Sequence, residues 1–183
     1  MNPIFLKIGN ISIYWYSIFI LIGILTACTI VLREANKKNI PKKFIEDLFF
    51  YTIIFGLIGA RLYYVIFEYK QYINNPLDIF KVWEGGLAIH GGIIAGLITI
   101  IIMTKKHKIS ILEMTDMIVV GVIIAQAIGR WGNFFNGEAY GPVTTLDNLK
   151  QLHIPQFIIN GMNINGVYYH PTFLYESLWN ILG

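Results

Sequence analysis

The sequence predicts an all-α integral membrane protein: a polytopic helical bundle with four full spans and the start of a fifth. Three observations predict it. The 183 residues are 55% hydrophobic and only 14% charged, against roughly 25% charged in soluble domains. Mean hydropathy is +0.57. Several apolar runs reach the ~20 residues that a hydrocarbon core of ~30 Å requires of a helix. We read these residues as a single transmembrane domain, 1–183, with no repeat, low-complexity tract or soluble module.

The first span is expected at about 11–32, the second at 47–67, the third at 86–104 and the fourth at 111–135. A fifth begins near Pro171 and has about 13 residues to Gly183, too few to cross a bilayer. Residues 137–170 then form a small cap, where Asn160-Gly161 and Asn165-Gly166 between short apolar runs suggest a hairpin. Leu25-Thr26-Ala27-Cys28 resembles a lipoprotein cleavage box. However, only Lys7 precedes the apolar run, which continues past Cys28, so an uncleaved span is the better reading. With one cysteine there is no disulfide frame. The four histidines form no metal-ligand pair, and no metal or other cofactor is expected. Basic and aromatic residues are not interleaved on a polar surface, so nucleic acid is not an expected partner.

Charge sets the expected orientation. Arg33, Lys37, Lys38, Lys42 and Lys43 lie between spans one and two, and Lys105, Lys106 and Lys108 between spans three and four. These are eight of the 14 basic residues. The two loops are therefore cytoplasmic, and the N-terminus and the cap are outside. At ~1.5 Å per helical residue, Tyr16 falls ~8 Å into span one, Arg61 ~9 Å short of the outer end of span two, and His90 ~6 Å into span three. Arg130 falls in the outer part of span four, and Tyr175-Glu176 in the first turns of span five. This shared depth suggests a cavity opening toward the outer leaflet.

The most informative stretch is Gly129-Arg130-Trp131-Gly132-Asn133-Phe134-Phe135-Asn136-Gly137-Glu138-Ala139-Tyr140-Gly141. An arginine with amide side chains at a membrane boundary is costly as scaffold and well suited to gripping an anion. Glycines let a backbone bend and a ligand approach. We read this as the wall of a phosphate-binding site. Simpler readings stand beside it. Tyr16 could be an aromatic-belt residue, and Arg61 could snorkel or pair with Glu68 or Glu84. His90, between Gly85-Gly86 and Gly91-Gly92, could be an interfacial hydrogen-bonding residue. Glu138 could pair with an arginine. Gly92-xxx-Gly96 reads as close helix packing.

At these residues the chain resembles the bacterial prolipoprotein diacylglyceryl transferases. The central match is Gly129-Arg130-x-Gly132-Asn133-Phe134-x-Asn136-Gly137-Glu138-x-x-Gly141. Further matches are Trp15-Tyr16, Gly59-Ala60-Arg61-Leu62, Glu84-Gly85-Gly86-Leu87-x-x-His90-Gly91-Gly92 and His170-Pro171-x-x-x-Tyr175-Glu176. The resemblance implies a seven-span fold with an outer cap in the bacterial cytoplasmic membrane. It implies transfer of the diacylglyceryl group of phosphatidylglycerol to the lipobox cysteine thiol of a prolipoprotein signal peptide, with release of glycerol 1-phosphate. The expected catalytic residues are His90, Arg130 and Tyr16. Those expected to bind substrate are Arg130, Asn133, Asn136, Glu138, Gly141 and Arg61. In the family a later span carries a second essential arginine, so a chain ending at Gly183 is expected to be either a fragment of a longer reading frame or a truncated homologue, inactive alone if nothing replaces the missing part. The alternatives are a small-solute transporter, another phospholipid head-group enzyme, or a structural membrane subunit. A transporter would place its site near the midplane between repeated halves. A phosphotransferase would need several aspartates around a metal.

Overall fold

A computed structural model describes residues 3–9 and 11–182. Its main elements are α1 (Trp15–Lys37), α2 (Lys42–Phe67), α3 (Ile89–Lys106) and α4 (Ile111–Asn136), each long and apolar enough to cross a membrane. A shorter α7 (Thr172–Leu182) begins where the fifth span is expected. The chain is thus a polytopic helical membrane protein. It divides into two compact units, Met1–Val31 with Ile118–Gly183, and Leu32–Met117.

In the first unit the chain opens with an antiparallel hairpin, β1 (Ile4–Ile8) and β2 (Ile11–Tyr14). The first span therefore starts at Trp15, not at Ile11. Ile11-Ser12-Ile13-Tyr14 alternates apolar and polar residues with β-branched side chains, which suits a strand. Tyr16 accordingly sits in the first turn of α1, not 8 Å inside it. The Trp15 amide donates to the Pro3 carbonyl (3.0 Å), tying the helix start to the hairpin.

Helices α1 and α4 meet here along small residues. A Cβ on Gly132 would lie 3.0 Å from the Tyr16 Cα, and one on Gly23 3.0 Å from the Ala125 oxygen. One on Gly121 would lie 3.2 Å from the Ala27 Cα, and one on Gly129 3.5 Å from the Ile20 side chain. Contacts that descend one helix while ascending the other mark an antiparallel pair in close packing. Above it, Phe135 stacks on Trp15 and Phe19 (ring centroids 5.1 and 5.4 Å).

The cap comprises β3 (Val143–Thr144), α5 (Leu146–Gln151), α6 (Gln156–Gly161), β4 (Asn163–Ile164) and β5 (Val167–Tyr169). The strands form an antiparallel sheet in the order β3-β5-β4. The expected hairpin is present at Asn165-Gly166, where φ is +53° and +84°, the conformation of a two-residue turn. Asn160-Gly161 instead ends α6. Buried Phe134, Ile158, Met162 and Phe173 join the cap to α4 and α7.

In the second unit α2 begins at Lys42, five residues before the expected boundary. Pro41 precedes it, and i,i+4 pairs Lys42–Glu46 (3.4 Å) and Lys43–Asp47 (2.9 Å) make a charged first turn that reads as loop in a hydropathy profile. Helix α3 begins at Ile89 rather than Gly86, because Gly85 and Gly86 have φ of +91° and +72°. Between them residues 69–84 form three short 3-10 turns, which leave Leu77, Phe80 and Trp83 exposed. Gly92 faces Gly56 and Ala60, and Gly96 faces Thr52, as the Gly92-xxx-Gly96 spacing predicts.

Candidate functional site

The first unit carries Tyr16, Arg130, Asn133, Asn136, Glu138 and Gly141; the second carries Arg61 and His90. Arg130 lies six residues before the end of α4. Its Nη2 donates to Oε2 of Glu176 at 2.6 Å, with both side chains about half exposed (40% and 47%). That is the only hydrogen bond or ion pair of its guanidinium among the described residues, so four of five N–H groups remain available. Arg130 and Glu176 line an open pocket of about 430 Å³ with Gln126, Tyr175, Trp179 and Asn180. Helix α7 is fixed against α4 by the Trp131 indole, which donates to Ser177 Oγ (3.2 Å), and by Ser177 Oγ, which donates to the Ala127 carbonyl (2.9 Å). The Tyr175 hydroxyl lies 3.1 Å from His170 Nδ1.

The turn after α4 is laced by its own polar groups. The Asn133 carbonyl accepts from the Glu138 amide (3.0 Å), and no partner is seen for the Asn133 side chain among the described residues. Asn136 Nδ2 donates to Glu138 Oε1 (3.2 Å), while Asn136 Oδ1 is buried without a partner. Glu138 therefore orients Asn136; the acid that holds Arg130 is Glu176. Gly141 donates to the His170 carbonyl (2.9 Å), and a Cβ on it would lie 2.7 Å from Thr172 Cγ2 and 3.0 Å from the His170 Cβ. It lets the loop lie against His170-Pro171. Tyr16 is 39% exposed with its backbone against Gly132.

Arg61 has the opposite character. It is 7% exposed, and all five of its N–H groups have carbonyl acceptors. Nε donates to Ile79 (2.8 Å), Nη1 to Gly85 and Gly86 (2.7 and 2.9 Å), and Nη2 to Asp78 and Lys81 (2.7 and 3.4 Å). Tyr72 covers the guanidinium at 5.4 Å. Glu68 accepts instead from Gln71 and Glu84 sits beside Lys81. Arg61 thus has no donor to offer a ligand. It clamps the 78–86 segment that leads into α3. His90 follows in the first turn of α3, exposed, with its ring 6.0 Å from that of Tyr63. The Ala88 amide donates to the Ala60 carbonyl (3.0 Å), a second tie from this entry to α2.

The arrangement around Arg130 suits an anion with hydroxyl groups attached: a fork of free donors beside a carboxylate in an open pocket. A family model described as prolipoprotein diacylglyceryl transferase matches residues 3–183. The chain belongs to the prolipoprotein diacylglyceryl transferase family. Named relatives include phosphatidylglycerol–prolipoprotein diacylglyceryl transferases from Listeria monocytogenes (49% identical), Halalkalibacterium halodurans (47%) and Staphylococcus aureus (45%). Each match covers all of this chain but only 66%, 63% and 66% of the relative. The chain therefore spans just under two thirds of the length of these transferases.

Glu176 is the site residue whose role the sequence does not reveal. It stands in the His170-Pro171-x-x-x-Tyr175-Glu176 match, yet nothing in the spacing pairs it with an arginine 46 positions earlier. Only the packing of α7 on α4 does so.

Proposed function

We propose that the protein acts in lipoprotein maturation, transferring the diacylglyceryl group of phosphatidylglycerol to the lipobox cysteine thiol of a prolipoprotein. The sulfur forms a bond to the glyceryl carbon, the carbon–oxygen bond to phosphate breaks, and glycerol 1-phosphate leaves with that electron pair. The thiol proton is lost to a base. The observation that carries this reading is the guanidinium of Arg130, with four unused donors inside the family's central motif.

Arg130 would hold the phosphate through a fork that a lysine cannot copy. It would stabilise the charge that grows on the leaving oxygen. Asn133, with its unpartnered amide, would donate to phosphate or glycerol oxygens, and Asn136, whose Nδ2 is held by Glu138, would accept from a glycerol hydroxyl through its free amide oxygen. Tyr16 would contribute a hydroxyl from the outer end of its helix. A thiol with a pKa near 8.5 is mostly protonated at neutral pH, and the His90 imidazole is the candidate to accept that proton. In this reading Arg61 supports the loop before His90 and does not touch lipid. The site would face the outer leaflet of the bacterial cytoplasmic membrane.

The test is a vesicle assay with labelled phosphatidylglycerol and a lipobox peptide, using the protein expressed from its native gene. Wild type should form the thioether, and Arg130→Lys should lose about 100-fold or more in rate while still inserting. Near-normal transfer by that variant would remove the phosphate grip. Solute flux without thioether would favour a transporter.

A further inference from the structure

The second unit has a groove that this chemistry does not use. It lies between α2 and α3 and encloses about 690 Å³, within the range of small-molecule sites. Tyr51, Phe55, Ile58 and Leu62 form one wall, and Ile98, Ile102 and Met103 the other. Its floor is made of small residues, Gly59, Ala95 and Thr99. The Thr99 hydroxyl is spent on the Ala95 carbonyl (2.8 Å), so the floor offers no free donor. Only one end is polar, with Asp47, Lys106 and His107.

We propose that this groove binds one anionic phospholipid of the leaflet bordering the 105–110 loop, with an acyl chain in the groove and the phosphate at Lys106 and His107. Charge and length argue for it. At the polar end Asp47 is already paired with Lys43 at 2.9 Å. Lys106 has no carboxylate partner among the described residues, and exposed Lys105 and Lys108 flank it. The end is therefore cationic, and basic pockets between membrane helices bind anionic head groups. From Lys106 to Ala95 the α3 wall rises roughly 16 Å, and from Asp47 to Leu62 the α2 wall roughly 22 Å, against a ~30 Å hydrocarbon core. An acyl chain reaching in from the basic end matches that length, whereas a packed helix would be expected to use the full thickness. The groove lies within one unit and does not involve Arg130, so the proposal stands apart from the transferase reading.

Native mass spectrometry of the 183-residue chain tests it, in an Arg130→Ala background that removes the other phosphate grip. The probes are phosphatidylglycerol and phosphatidylcholine with identical chains. One phosphatidylglycerol should be retained in preference to phosphatidylcholine, and Lys106→Gln should weaken retention about fivefold. Ile98→Trp, a change at an exposed wall position, should abolish it. Equal retention of the two lipids, retention unaffected by both variants, or a dimer of the chain in place of bound lipid would each overturn the proposal. Circular dichroism of each variant confirms that the helices are intact.

Discussion

Two arginines of similar sequence setting end in opposite states. Arg61 and Arg130 both stand near the C-terminal end of a long apolar helix, each preceded by a small residue. Arg61 gives every donor to backbone carbonyls; Arg130 gives one to Glu176. The sequence marks both as unusual but cannot separate them. The separation depends on Gly85 and Gly86, whose positive φ turns two carbonyls toward Arg61, and on where α7 lands. Hydrogen bonds to charged groups are worth about 1.5–3 kcal/mol each, and a lysine cannot reach five fanned acceptors. Arg61→Lys should therefore destabilise the protein by about 2–4 kcal/mol in detergent unfolding. It should also raise amide exchange across 78–86, and unchanged exchange there would contradict the clamp. Glu176→Gln should differ in kind. Half-exposed ion pairs contribute about 0–1 kcal/mol, so its unfolding midpoint should move little. A larger loss would mean that the pair is shielded from solvent more than its exposure indicates.

At the level of elements, the four long helices and the start of α7 were legible because hydropathy over about 20 residues is a strong signal. Their ends were not, wherever a local rule competed. Strand alternation took residues 11–14, charged i,i+4 pairs extended α2, and the Gly85-Gly86 pair delayed α3. The hairpin turn at Asn165-Gly166 was readable from its dipeptide, but the same signal at Asn160-Gly161 marks the end of a helix. Close packing was visible at Gly92-xxx-Gly96 and not along α1 and α4. There the small residues are spread over two helices and show their spacing only when the helices are laid side by side. A Cβ on Gly91 would run into the Gly59 carbonyl and the Tyr63 Cβ. Gly91→Ala should then cost about 1–3 kcal/mol through overpacking, read as a lower unfolding midpoint in micelles. Wild-type stability would mean that α2 and α3 part easily.

For the whole molecule, the distribution of lysine and arginine makes a statement about sidedness that can be checked directly. In a Cys28→Ala background, Lys150→Cys should react with a membrane-impermeant maleimide in intact cells. Lys108→Cys should react only after permeabilisation. The reverse pattern would invert the orientation and carry the Arg130 pocket to the other face. Family membership was legible from the motifs. The division of the site residues between two units was not, because it depends on contacts far apart in the chain.

The seam between α1 and α4 sets a mechanical condition on the Arg130 pocket. Tyr16 meets Gly132, Ile20 meets Gly129, Gly23 meets Ala125 and Ala27 meets Gly121. A one-residue slip would press side chains against backbone at several of these points together. The pair behaves as a toothed rack, locked or disengaged with little between. The heights of the Tyr16 phenol and the Arg130 guanidinium are thus set relative to each other by how closely two backbones can approach, without any bond between the two side chains.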